Sequence, residues 1–409
     1  MVHQLPVGAK DLLPLDVLQK QWIEQRLQQT FQAWGYQKII TPTIEKLESL
    51  TAGGAVHPQA VIQLQGEEGE ILGLRPEFTA SIARAYAARL VHNFPQRLYY
   101  NANVFRAGIF RKGTATQETF QAGVELLGID GLADSEILLL LADCLTQIKL
   151  TDWQMVLGHA GLTTALLDIF PISDRVKIRN CFAHLDRVEL AQIADQQVWK
   201  SLAIDLLQLR GKPLEVLSKL EKLLAKIQID YSQWWDANSE LVLRETSHLR
   251  SLLLLWQNMG LPDCITLDLS LIQPFDYYTG IVFEVVSEYQ AIAQGGRYDQ
   301  LLGLYHPKGL SHPGIGFCLN LENLKKVSAA HLPDQISACA CLVVPESADY
   351  VQIAFAHAAK LRKDSSLEHG VIEVYLHYDL AEQVENYARS RNVQQIAWIG
   401  KQISIEALE

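Results

Sequence analysis

Four places in this 409-residue chain carry acids, phenols or amides of the kind that hold a small polar ligand. In residues 273–284 (Q-P-F-D-Y-Y-T-G-I-V-F-E), Asp276, Tyr277 and Tyr278 stand side by side, ahead of Thr279, a glycine and an apolar run. An acid and two phenols at the junction of two strands could line a pocket. A hairpin with tyrosines on its half-buried face is equally open, because tyrosine suits that position. In R-P-E-F-T-A (75–80), Thr79 suits a helix N-cap and Glu77 would sit near the positive helix end. In Q-A-G-V-E, Gln121, Gly123 and Glu125 share one face of a strand, either solvated or lining a polar pocket. In Q-G-G-R-Y-D (294–299), the glycine pair permits close backbone approach to a ligand, although a simple bulge explains it as well.

The elements that must position these residues follow from periodicity. A helix is expected over 15–34, with Leu18, Trp22, Leu27 and Phe31 among its apolar positions and Gly35 placed to stop it. A strand over 36–40 follows, bounded by Pro42. Residues 71–74 form a short strand that opens into a helix over 80–90. Strands 97–106 and 118–127 flank a loop carrying Arg111 and Lys112. From 134 to 258 the pattern is mostly helical, interrupted by a strand over 153–158. Pro213 opens a helix whose stripe of Leu214, Leu217, Leu220, Leu223, Leu224 and Ile227 reads as a packing surface. Residues 264–271 alternate as a strand, and 314–324 read as a buried strand entering a helix. The tail spells β-α-β-α-β over 339–345, 349–363, 371–377, 380–391 and 394–399, which suits a small parallel sheet.

Composition bounds the function. Hydrophobic content of 49% and charged content of 20% describe a globular chain long enough for two or three domains. The start, M-V-H-Q-L-P, lacks a secretion signal, and no apolar run is long enough to span a bilayer. Six scattered cysteines without C-x-x-C spacing fit free thiols in a reducing cytosol, with Cys339 and Cys341 on one face of a strand. The net charge of −11 argues against gripping nucleic acid by phosphate neutralisation. From Gln335 onward, ten acidic residues face six basic ones.

In this order, L-P-V-G-A-K-D-L-L-P, L-R-P-E-F-T-A, F-R…Q-A-G-V-E, F-D-Y-Y-T-G-I-V-F-E, G-G-R-Y-D and G-I-G-F-x-L-x-L-E resemble the histidyl-tRNA synthetase family. The resemblance covers most of residues 5–324. It implies an α+β fold: a class II synthetase-like antiparallel sheet core with helices, a helical insertion over about 170–258, and a small C-terminal α/β domain over 336–409. The core, 1–330, would dimerise through the segment ending near Pro42. Carried over by motif, Glu77 and Thr79 would hold an amino acid's ammonium, Gln121 and Glu125 would complete the pocket, and Tyr277 and Tyr278 would meet an imidazole. A buried ammonium needs anionic and acceptor partners of this kind.

The family's catalytic positions are altered. Gln273 stands where the family's arginine stabilises charge developing at the α-phosphate, and a neutral amide cannot supply that charge. Asn323 replaces the arginine that grips the ATP phosphates. Arg106 remains, but Ala107, Gly108, Ile109 and Phe110 replace the loop beyond it. Loss of one such contact costs about 10²–10³ in rate. The pattern is similar to the synthetase-derived regulatory subunits of ATP phosphoribosyltransferase, and a divergent histidyl-tRNA synthetase is the alternative. The resemblance implies a cytoplasmic, non-catalytic subunit without cofactor or metal. Its expected partners are a short-form catalytic subunit in a hetero-octamer and histidine as an effector. Neither tRNA nor a membrane is expected as a partner.

Overall fold

Helix α1 (Pro14–Ala33) opens on a proline, and its Leu13 N–H is taken up by Asp16 Oδ2 at 3.1 Å. Ile23, Leu27 and Phe31 repeat every four residues and are fully buried, while Gly35, at φ +84°, lets the chain turn away. The computed structural model describes residues 5, 8–54, 56–89, 95–107, 118–195, 197–261, 263–271, 277–336, 338–363 and 370–408. Two compact units emerge: Met1–Asp11 with Gln19–Leu332, and Leu12–Leu18 with Pro333–Glu409.

In the larger unit the chain runs through β1 (Gln37–Lys38), β2 (Ile44–Lys46), α2 (Leu47–Leu50), β3 (Gln63–Gln65) and β4 (Ile71–Leu74) to α3 (Thr79–Arg89). The long pair β5 (Gln96–Phe105) and β6 (Glu118–Leu127) follows, then α4 (Ala133–Gln147), β7 (Gln154–His159) and α5 (Ala160–Leu167). Helices α6 (Ile172–His184), α7 (Arg187–Ile193) and α8 (Lys200–Leu207), the two-residue β8 (Arg210–Gly211), α9 (Pro213–Asp230) and α10 (Ser232–Asn258) come next. The unit closes with β9 (Ile265–Asp268), β10 (Ile281–Ser287), β11 (Gln290–Arg297), α11 (Leu301–Tyr305), β12 (Gly314–Asn320) and α12 (Leu321–Val327).

Nine of these strands form one sheet in the order β1-β5-β6-β12-β11-β10-β7-β9-β8. The six from β5 to β7 are antiparallel, while β1 joins β5 and β9 joins β7 in parallel. The strand before the tyrosine pair and the strand after it are therefore not a hairpin, because β7 lies between β9 and β10. Alternation gives the sheet two different faces. Ala122, Val124 and Leu126 of β6 and Ile315, Phe317 and Leu319 of β12 join one large core with α1, α4 and the helices of 160–258. The stripe of α9 belongs to it, each fully buried leucine contributing about 2 kcal/mol over an exposed one. The opposite face carries a smaller core in which Phe78, Ile82 and Tyr86 meet Leu98, Tyr100, Leu301 and Leu302.

The smaller unit contains β13 (Cys339–Pro345), α13 (Val351–Leu361), β14 (Val371–Val374), α14 (Ala381–Ser390), β15 (Gln395–Ile399) and β16 (Ile403–Ala407). Its sheet runs β14-β13-β15-β16, with the first three strands parallel and β16 an antiparallel edge that the periodicity did not announce. The pairing of β13 slips between Cys339 and Cys341, so the two thiols enter different cores. They do not share a face; a bulge inserts one residue and reverses the alternation. All six cysteines are free.

Candidate functional site

The site begins at the entrance to α3. Arg75 is 4% exposed and spends its guanidinium on backbone, donating to Thr41 O at 2.8 Å, Pro42 O at 3.2 Å and Asn103 O at 3.0 Å. It ties the R-P-E-F-T turn to β5 and to the segment after β1, and desolvation lowers its pKa. The cap of α3 is Glu77 rather than Thr79: Oε2 accepts from Thr79 N at 2.6 Å and Oε1 from Ala80 N at 2.8 Å. Two of the helix's orphan donors are thereby satisfied by a carboxylate, which the helix dipole favours. Burial pushes the Glu77 carboxyl up, while those backbone bonds and Arg106 draw it down.

Thr79 is released for another task. As the first helical residue it points its hydroxyl across to β6, donating to Glu125 Oε1 at 2.8 Å. The other oxygen of Glu125 takes the hydroxyl of Tyr298, just beyond β11. Glu125 is 2% exposed, and burial pushes its carboxyl up to about 8; Tyr298 and Thr79 pull against that and Glu77 adds to it. Gly316 on β12 lies so close that a Cβ there would overlap Glu125 Oε2 and Val124 O.

One cavity collects these groups. It is lined by Glu77, Thr79, Gln121, Glu125, Tyr277 and Tyr278, the six positions read from sequence as a histidine pocket. The rings of Tyr277 and Tyr278 lie 4.7 Å apart, and Tyr277 meets Tyr298 edge-on at 6.0 Å. Burial raises the pKa of both Tyr277 and Tyr278 above the usual phenol range. The sequence reading assigned no role to Gln294, Tyr298, Gly316 or Cys318, which line the same cavity. Alternation was the available signal for two of them, since period two puts Gln294, Gly296 and Tyr298 on one side of Q-G-G-R-Y-D. Arg297 then falls on the reverse face.

Of the family's catalytic positions, the retained Arg106 lines the cavity and donates Nε to Pro76 O at 3.0 Å. It is the one cation among the described lining residues, set against two carboxylates. Asn323 is occupied elsewhere: its N–H donates to Asn320 Oδ1 at 2.9 Å, and its Nδ2 to Ala291 O at 2.8 Å. Its neighbour Glu322 accepts from Phe120 N at 3.0 Å, clamping α12 to β6. Gln273, Asp276 and the loop 108–117 lie outside the described residues. The arrangement suits recognition of a small ligand with a cationic or multiply donating head. Its acidic oxygens accept from backbone N–H groups and hydroxyls, with no second guanidinium among the described lining residues to receive polyphosphate.

The model of the histidyl-tRNA synthetase family matches residues 8–324. Relatives named ATP phosphoribosyltransferase regulatory subunit are 48% identical in Cyanothece sp., over 98% of this chain and 97% of theirs, and 48% in Trichormus variabilis with the same coverage. A crystal structure described as an ATP phosphoribosyltransferase regulatory subunit/histidyl-tRNA synthetase from Bacillus halodurans is similar with a TM-score of 0.80 at 25% identity, covering 98% of this chain and 100% of that one. A histidyl-tRNA synthetase from Nostoc sp. shares the fold at TM-score 0.75 and 19% identity, over 99% of this chain and 94% of that one. The chain belongs to the histidyl-tRNA synthetase family, and within it to the ATP phosphoribosyltransferase regulatory subunits.

Proposed function

We propose that this chain acts in the cytoplasm as the non-catalytic subunit that a short-form ATP phosphoribosyltransferase requires for the first step of histidine biosynthesis, and that its cavity receives histidine as the feedback effector. The observation that carries the reading is a cavity in which Glu77, Thr79, Glu125 and Tyr298 are joined by hydrogen bonds, while Asn323, outside its lining, is engaged in local bonds. Such a site retains the means to hold an ammonium and lacks two of the charges that adenylation needs. For inhibition, histidine must bind the inhibited assembly more tightly than the active one. The class II core, 1–330, supplies a self-dimer, and dimers combine with catalytic subunits in a hetero-octamer.

Reconstitution tests this. The catalytic subunit from the same cell should be activated by this chain and inhibited by histidine. Glu125→Gln should preserve activation and abolish or sharply weaken inhibition. Full inhibition of the Glu125→Gln assembly would move the effector site away from this cavity. Histidine-dependent ATP–pyrophosphate exchange at synthetase-like rates would instead favour a divergent histidyl-tRNA synthetase.

A further inference from the structure

Arg297, the last residue of β11, and Tyr298 just beyond it connect the cavity to an ionic cluster on the far face of the sheet. Tyr298 points into the cavity and holds Glu125, whereas Arg297, its chain neighbour, points the other way and is 6% exposed. There its Nε and Nη2 reach Asp134 Oδ1 at 2.8 and 2.6 Å, in the first turn of α4, and its Nη1 reaches Asp299 at 3.1 Å and Asp130 at 3.4 Å. The second oxygen of Asp134, itself 1% exposed, lies 3.5 Å from His248 Nε2 on α10. His248 Nδ1 is 3.8 Å from Glu245 Oε2, one helical turn earlier. That same oxygen is 3.2 Å from Nε2 of His159, whose Nδ1 caps α5 by accepting from Leu162 N at 3.1 Å. Arg244 closes the series on Glu245 at 2.7 Å.

The tyrosine wall of the cavity hangs on the same arginine. Thr279 N donates to Arg297 O at 2.8 Å, and Asp299 N donates to Thr279 Oγ1 at 3.0 Å. A Cβ on Gly280 would come within 2.6 Å of Arg297 Cδ, so the T-G that follows the tyrosine pair is cut away to let the guanidinium pass. Both phenolic walls, Tyr277–Tyr278 and Tyr298, thus adjoin one buried residue, the first through its backbone carbonyl and the second as its chain neighbour. The hydrogen bond with His159 first, and the nearby His248 imidazole, hold Glu245 well below the usual carboxylate range, so α10 presents a charged group to the cluster. The Arg297–Asp134 pair is buried and therefore weakly screened, whereas His248 and Arg244 at the α10 end are partly exposed. Asn238, Leu241, Arg244 and Glu245 of α10 also line a groove opposite Tyr277–Gly280.

We propose that occupancy of the cavity is transmitted to helix α10 through Tyr298, Arg297, Asp134 and His248, making α10 the element that reports the effector on the outer surface of this unit. The proposal rests on the reading of the cavity as a histidine site. Coupling of this kind is established by perturbing both ends, not by proximity. Amide hydrogen exchange of the full chain, with and without saturating histidine, supplies the test, alongside calorimetry of histidine binding. Histidine should slow exchange over 241–250 by about fivefold or more, the lower range of measured couplings. His248→Gln sits outside the cavity and is partly exposed, so the variant should fold and still bind histidine while losing that protection. Histidine binding that leaves α10 exchange unchanged in the wild type overturns the proposal, as does protection that survives His248→Gln. Absence of any histidine heat overturns the histidine reading itself and this proposal with it.

Discussion

Glu125→Gln, followed across pH, is the sharpest probe of the cavity. Burial raises the Glu125 carboxyl from 4.5 to about 8. Because the folded value lies above the unfolded one, the contribution of this group to stability is fully present below about 4.5 and is lost as pH rises through about 8. A span of about 3.5 pH units at about 1.4 kcal/mol each corresponds to a loss on the order of 5 kcal/mol. Gln cannot ionise, so the variant should gain on the wild type by several kcal/mol between about pH 5 and about pH 8, read from urea melts at each pH. Ligand binding has the opposite dependence. About one tenth of Glu125 is ionised at about pH 7 and half at about pH 8, so an ammonium ligand that requires the carboxylate gains about fivefold in affinity over that step. It also releases close to one proton per site near pH 7, which calorimetry in two buffers of different ionisation enthalpy measures directly. A wild-type-to-variant stability difference that does not move with pH, or histidine binding with no proton released near pH 7, would refute the reasoning.

Three further outcomes follow from the same geometry. Gly316→Ala places a methyl against Glu125 Oε2 and Val124 O, so it should destabilise by about 1–3 kcal/mol in thermal melts and weaken histidine binding at least tenfold. Arg75→Ala strips three backbone carbonyls of a buried cationic donor and should cost about 3–5 kcal/mol; Arg75→Lys keeps the charge without the fork and should recover less than half of it. ATP–pyrophosphate exchange should stay at background in the wild type and in Asn323→Arg, because one restored guanidinium leaves position 273 neutral.

Much of the scaffold was legible from residue order. The strand over 118–127 was placed to the residue, and period two correctly put Gln121 and Glu125 together because side-chain direction in a strand is a local property. The stripe of α9 and the glycine stop after α1 follow from helix geometry in the same way. The errors share a cause. Thr79 resembled a cap because hydroxyls usually cap, but a carboxylate two residues earlier reaches the same N–H groups, and the demand of Glu125 for a donor draws the hydroxyl away. Cys339 and Cys341 were separated by one slipped pairing, and β16 is an edge strand with every residue exposed, so it has no buried face to announce itself.

For the stretch around Tyr277 and Tyr278, the sequence by itself determined the groups on offer and, by their order with R-P-E-F-T and G-G-R-Y-D, the family. Only the tertiary structure decided which of them meet. Glu77, Glu125 and Tyr298 come from segments up to 221 positions apart, and strand register across β6, β12 and β11 brings them into one cavity. The same register turns Arg297 to the opposite face, against Asp134. Local preference specifies which way a side chain points along its own strand; what it points at is set by pairing between strands remote in sequence.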